Sequence, residues 1–276
     1  MSDVFLAPPF DALWRGLDVF GAVAGLSGEE FRHVKSRRTF RVEIGGRGFF
    51  VKHHLGVGWK EIFKDLLQFK RPVTGARGEF EALRRLAALG VPSMECAAFG
   101  ERFADPAHRE SFIITCELKD MVSLEDFTAP WRETPPAPGL REDVTRRLGR
   151  NVGKMHAGGV NHRDCYICHF LRDPATGELH VIDLHRAQIR PHVPFRYAVK
   201  DVAGILFSAM DLDLTLRDIA LFLREYRRAG NPVTPRFRRA VLRSAEQLYF
   251  KEHGRNAPGI LKYAKPAAAP RGGAPK

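Results

Sequence analysis

The stretch "NHRDCYICHF", residues 161–170, concentrates side chains that could do chemistry, and it admits three readings. Cys165, Cys168 and His169 spell C-x-x-C-H, the attachment pattern of c-type haem. The same thiols with His162 and His169 could hold zinc. His162-Arg163-Asp164 opens a phosphoryl-transfer loop, whose aspartate accepts or orients the proton of an acceptor hydroxyl. Haem is disfavoured by compartment, because "MSDVFLAPPFDALWRG" lacks the basic and apolar run of a secretory leader. Zinc is disfavoured because no second Cys or His pair stands at ligand spacing.

Three further residues supply the rest of a phosphoryl-transfer site. Lys52 closes the apolar strand "FFVKHH" and would reach the phosphates of ATP as a point charge. Glu79, on the next helix, would pair with Lys52. Glu81 competes, and Glu79 is preferred because it stands 11 residues before "GVP", a spacing of small-molecule kinases. Asp183 ends "HVID" 19 residues after Asp164 and would bind Mg²⁺. Each is weak alone: a strand-end lysine is commonly a surface residue, and a glutamate in a first helical turn suits the dipole. Their joint order carries the signal, with a long helix before the loop and a hairpin between the aspartates. His162 and Arg163 then become loop supports, Cys165 and Cys168 packing residues, and Asp201 in "KDVAG" a partner of the loop backbone.

The elements that must position these residues follow from periodicity. Residues 10–22 read as one short helix with Phe10, Leu13, Trp14 and Leu17 on a face. Strands are expected near Phe31–Val34, Phe40–Ile44 and Phe49–His53, the last two joined by the glycine turn "GGRG". "GARGEFEALRRLAALGVPS" is a helix capped by Gly90. "ECAAFG" and "SFIITCEL" are strands, the second central, and "ELKD" is a hinge. A helix over Leu140–His156, a hairpin "HFLR…LHVID" and helices beyond Tyr197 complete the order. The expected architecture is α+β, a two-lobed protein-kinase-like fold. It has an N-terminal extension (1–28), a β-rich lobe (29–120) with an amphipathic insertion (55–73), a helical lobe (121–263) and a disordered tail (264–276).

The chain has 276 residues, 44% hydrophobic, with a formal charge of +12 and a pI near 9.9. That excess points to a polyanionic partner, but no nucleic-acid-binding signature accompanies it. Four cysteines are too few for a disulfide scaffold, and no apolar run approaches the ~18 residues of a membrane span. A cytoplasmic protein is expected.

Taken whole, "RRTFRVEIGGRGFFVKHH", "GVGWKEIFKDLL", "GARGEFEALRRLAALGVP", "NHRDCYICHFL", "VIDLHRAQIRP" and "VKDVAGILFSA" resemble the lipopolysaccharide core heptose(I) kinases. The resemblance implies transfer of the γ-phosphoryl group of ATP, with Mg²⁺, to the 4-hydroxyl of the first heptose of the inner core. Lys52, Glu79, Asp164 and Asp183 match the family's kinase elements, with Glu117 of the hinge added to the nucleotide-binding set. The chain departs from the broad protein-kinase pattern in three ways. No G-x-G-x-x-G precedes Lys52; Arg37 and Arg38 of "KSRRT" would neutralise phosphate there. His169 stands where protein kinases carry a metal-binding Asn, and joins Asp183 as a candidate metal-site residue. No Lys lies two residues past Asp164 and no A-P-E follows, which argues against a protein substrate.

In the insertion, Trp59, Ile62, Phe63, Leu66 and Leu67 share a face beside Lys60, Lys64 and Lys70. Such a segment can lie on the anionic cytoplasmic face of the inner membrane, or take up an acyl chain or an acidic carrier protein. The competing functions are a kinase for another acceptor, aminoglycoside or protein, and a non-catalytic basic module.

Overall fold

The computed structural model describes residues 3–34, 36–67, 72, 74–103 and 105–258. The end of the expected insertion (68–71 and 73, Lys70 among them) and the expected tail (264–276) lie outside the described residues.

Among the described residues the largest sheet has six antiparallel strands. They are β1 (Asp3–Leu6), β2 (Glu29–Val34), β3 (Arg37–Ile44), β4 (Arg47–His54), β5 (Cys96–Arg102) and β6 (Glu110–Cys116), in the order β1-β5-β6-β4-β3-β2. The β3–β4 hairpin turns through Gly45 and Gly46 at φ +59° and +74°, angles that suit glycine, with Ile44 opposite Arg47. Strand alternation sorts β6 between two cores: Phe112 and Ile114 face one, Ile113 the other. β6 is central, with every residue from Ser111 to Thr115 buried.

Both faces of the sheet are covered. The N-terminal segment covers one with Phe10, Trp14 and Phe20, packed on Phe40, Phe49 and Phe112. It is not the single helix expected. Gly16 turns the chain at φ +76°, and Asp18 starts a new helix by accepting from the Phe20 and Gly21 N–H groups. The result is α1 (Phe10–Leu13) and α2 (Val19–Gly25), with Leu13 and Leu17 exposed. Helix α3 (Gly58–Leu67) follows β4. Helix α4 (Arg77–Ala88) covers the other sheet face, where Phe80 stacks on Phe99 at 4.2 Å and 3°. Gly90, at φ +61°, ends it.

The remainder is mostly helical: α5 (Leu124–Thr128), α6 (Pro138–Ala157), α7 (Phe195–Ala209), α8 (Leu216–Arg228) and α9 (Pro235–His253). α6 packs on α8 and α7 on α9. Between α6 and α7 runs a loop region braced by short strands: β7 (Val122–Ser123), β8 (Val160–Asn161), β9 (Phe170–Arg172), β10 (Leu179–Val181) and β11 (Gln188–Ile189). β9 and β10 form the expected hairpin, and β8 pairs with β11. The core of this part is continuous with α4 through Leu83 and Leu86, so the helix carrying Glu79 is packed against the region carrying the loop.

Candidate active site

Alternation along β4 turns Val51 into the N-terminal core and Lys52 toward α4. There Lys52 Nζ donates to Glu79 Oε1 at 2.7 Å and lies 3.8 Å from Asp183 Oδ1. Glu79 is 2% exposed although it sits in the first turn of α4, because that turn is pressed against the sheet. Glu81, half exposed and 3.8 Å from Arg77, has no part in the pairing. A buried carboxylate is stable only when paired, so Lys52 and Glu79 fix one another.

Asp183 follows β10 at φ 58°, ψ 53°, a left-handed conformation that sends the next residues into a short 3₁₀ turn, Leu184–Arg186. His185 Nδ1–H donates to Asp183 Oδ1 at 2.6 Å. Burial opposes the Asp183 charge, but His185, Lys52 and His169 together outweigh it and hold its pKa below the usual carboxylate range.

The loop between β8 and β9 hangs from Asp201 on α7. This carboxylate accepts from the backbone N–H of His162 at 2.7 Å and of Arg163 at 2.9 Å, as expected from the sequence. It also meets His156 Nε2 at 3.2 Å. A side chain on Gly204 would collide with the Cys165 carbonyl, its Cβ coming within 2.5 Å, so glycine there lets α7 touch the loop. His162 donates from Nε2 to the Ile182 carbonyl at 2.9 Å, tying the loop to the strand that ends at Asp183. Burial lowers its pKa and keeps it neutral. Asp164 presents its carboxylate to Arg186 Nη1, 2.8 and 3.0 Å from its two oxygens. Lysine, carboxylate partner, low-pKa aspartate and loop aspartate with a cation at hand are the parts phosphoryl transfer uses.

Residues 22–226 match the lipopolysaccharide kinase (Kdo/WaaP) family. The chain belongs to that family. It is 49% identical, over 90% of its length and 96% of the relative's, to a Pseudomonas aeruginosa protein named lipopolysaccharide core heptose(I) kinase WaaP. An Escherichia coli K12 protein of the same name is 47% identical over 81% of this chain and 86% of its own. A solved structure described as WaaP in complex with acyl carrier protein superposes with a TM-score of 0.73 at 42% identity, covering 95% of this chain and all of that one.

Membership in a kinase family implies ATP as the phosphoryl donor. Magnesium favours oxygen ligands and keeps several from phosphate and water, so the donor set can be tested directly. Asp183, ionised by its surroundings, fits. Both Asp164 oxygens are engaged by Arg186.

His169, the other residue expected at the metal site, lies beside Asp183. Its Nδ1–H donates to the Asp164 carbonyl at 2.7 Å, and its Nε2 is 3.7 Å from Asp183 Oδ2. A hydrogen bond to Cys168, then the Asp164 carbonyl and Asp183, push it up to about 9 against the effect of burial. The ring stacks on His162 (5.6 Å, 7°).

Arg37 and Arg38 part company for the same reason that Val51 and Lys52 do. Arg37 pairs with His54 across β3–β4 and shares the Lys52 face. Arg38 lies on the opposite face, over the Phe40 ring at 4.9 Å and 3.1 Å from Glu30 Oε1, which corrects its placement among the phosphate-binding residues. Glu117 is gripped by Arg41 through two bonds of 2.8 and 2.7 Å, and its N–H donates to the Gly48 carbonyl at 3.0 Å. Its carboxylate therefore fastens the segment after β6 to the sheet.

Cys165 is 1% exposed, with burial raising its pKa far above the thiol range, the state of an inert packing residue. Sequence reasoning missed that His185 would hold Asp183 and that Arg186 would turn back onto Asp164. Their place immediately after Asp183, in "DLHR", was the available signal.

Proposed function

We propose that this chain is an ATP-dependent sugar kinase that phosphorylates the first heptose of the lipopolysaccharide inner core at O-4. The observation that carries the reading is Lys52 held between Glu79 (2.7 Å) and Asp183 (3.8 Å), in a chain 49% identical to a core heptose(I) kinase. The two-lobed kinase arrangement is part of the same proposal, with residues 29–120 and 121–263 as the lobes and Glu117 beginning the hinge between them. Since Arg41 occupies the Glu117 side chain, contact with the adenine ring falls to the backbone there.

In this mechanism Lys52 grips phosphate oxygens, kept in place by Glu79, and Arg37 adds charge from the same sheet face. Asp183 would hold Mg²⁺, which when bound supplies neutralisation of the phosphate charge. Asp164 orients the sugar hydroxyl and takes its proton as the oxygen bonds to the γ-phosphorus. The bond from that phosphorus to the bridging oxygen breaks, and ADP leaves with the electron pair. Arg186 steadies the Asp164 carboxylate, supplying the cation that the sequence lacks two residues past Asp164.

Two partners complete the reading. A cavity of about 510 Å³ lies among α5 to α9, lined by apolar residues including Leu148, Val202, Ile205 and Phe222, with the exposed Arg238 and Arg239 among its lining residues. An acyl chain suits such a lining and an acidic carrier suits the arginines, in keeping with the solved relative described with acyl carrier protein. The acyl-chain role thus moves from the insertion to this cavity. Helix α3 docks through the buried Ile62 and leaves Trp59, Phe63, Leu66 and Leu67 exposed beside Lys60 and Lys64, a face that suits the cytoplasmic surface of the inner membrane. No helix among the described residues is long and apolar enough to cross a membrane.

The test is incubation with γ-labelled ATP and heptose-containing core, an aminoglycoside or bulk protein as acceptor. Label in the core sugar alone is expected; label in antibiotic or protein but never in core sugar would overturn the proposal.

A further inference from the structure

A second cavity, of about 230 Å³, is lined by Arg163, the residue before Asp164, and by Arg186, which holds the Asp164 carboxylate. Its walls are the first turn of α4 (Arg77, Gly78) and the residues flanking the two aspartates: Arg163, His185 and Arg186. Arg109, Glu81 and Glu101 also line it. Most of these cations are already answered. Arg77 pairs with Asp3 at 2.8 Å and Glu101 at 2.9 Å, and Arg109 lies 3.9 Å from Glu101. His185 holds Asp183, and Arg186 holds Asp164.

Arg163 is the exception. It is half-buried, yet its guanidinium makes no hydrogen bond or ion pair among the described residues. Its backbone sits at φ +76°, a conformation unfavourable for a residue with a Cβ, and the Asp201 carboxylate on its N–H holds it there. Strain of this kind persists where it places a side chain, and the side chain placed here lines the cavity. Burial, then the like charge of Arg186, works against its charge and outweighs the neighbouring Asp164 carboxylate, a penalty that a bound anion would reduce.

We propose that this cavity is an oxyanion subsite for the acceptor, in which Arg163 receives an acidic group borne near the hydroxyl that Asp164 faces. The inference rests on the core-kinase reading and adds to it a residue that selects acidic acceptors. The anion is a carboxylate of a neighbouring sugar acid or a phosphate elsewhere on the same acceptor; both offer the paired oxygens that a guanidinium binds. Arg163 is a positioning residue, since it touches the acceptor away from the reacting atoms.

Steady-state kinetics of Arg163→Gln and Arg163→Lys, both checked for native melting, test the proposal. In Arg163→Gln the KM for core acceptor should rise about tenfold or more, with kcat and the KM for ATP within about twofold, and Arg163→Lys should recover part of the loss. Carboxyl-reduced and dephosphorylated acceptors identify the anion: removing the right group raises the wild-type KM and makes Arg163→Gln silent. An unchanged acceptor KM in Arg163→Gln, or a mutation equally costly with both modified acceptors, would overturn the subsite. A separate arm keeps the two proposals apart. Inorganic phosphate, titrated calorimetrically into the ADP-saturated full chain, should bind the wild type and not Arg163→Gln, whether or not core is the substrate. Equal binding by both proteins would sink the subsite alone.

Discussion

The two halves of the site are built on opposite electrostatic plans. On the proposed nucleotide side, charge is matched inside the protein: Lys52 has Glu79 and Asp183, and Asp183 has His185 and His169 as well. On the proposed acceptor side Asp164 is matched by Arg186, and the Arg163 guanidinium has no hydrogen bond or ion pair among the described residues. The first half is rigid before any ligand arrives, because a buried carboxylate with a short ion pair has little freedom to relax. The second half offers unspent charge, and so leaves selectivity to what the acceptor brings.

The difference can be broken from either end. The largest effect is expected for Asp164→Ala, which removes the proton acceptor: kcat should fall about 10³-fold or more while melting and ATP binding stay near wild type. Initial rates beside a thermal melt decide it, and normal turnover would refute the role. Next, Asp183→Asn should weaken Mg-ATP binding about 100-fold in calorimetry while leaving binding of metal-free nucleotide much less affected. Glu79→Ala should cost about 1–3 kcal/mol in denaturant unfolding, since it leaves Lys52 with only the longer Asp183 contact, while Glu81→Ala should stay within about 0.5 kcal/mol. Similar costs for the two would mean that the Lys52 pair does not stiffen the nucleotide half. The smallest effect is expected for Trp59→Glu with Phe63→Glu. Partitioning to anionic vesicles should fall, with core phosphorylation in detergent unchanged; unaltered partitioning would remove α3 from the membrane reading.

What the sequence made legible depended on whether a feature was local. The β3–β4 hairpin was readable because two adjacent glycines leave few alternatives, and Glu79 was preferred over Glu81 by its spacing before "GVP"; the structure buries Glu79 in the first turn of α4. The single helix over 10–22 failed for a local reason that periodicity hides: Gly16 and Asp18 stop and restart the chain, and Leu13 and Leu17 are left exposed. Arg38 failed by one residue of register, which in a strand is the whole difference between faces. Arg186 on Asp164 was hidden because it depends on a left-handed Asp183 folding the chain back over 22 residues of sequence. The approach of His169 to Asp183 was hidden likewise, since the two meet only across the hairpin.

The measurement that tests the central claim most directly is single-turnover transfer from γ-labelled ATP to purified inner core, with the phosphate located on the product by phosphorus–proton NMR. The account predicts label at O-4 of the first heptose with the wild-type chain, and about 10³-fold slower label with Asp164→Ala despite equal ATP binding. Label at another position, or transfer by Asp164→Ala at the wild-type rate, would contradict it.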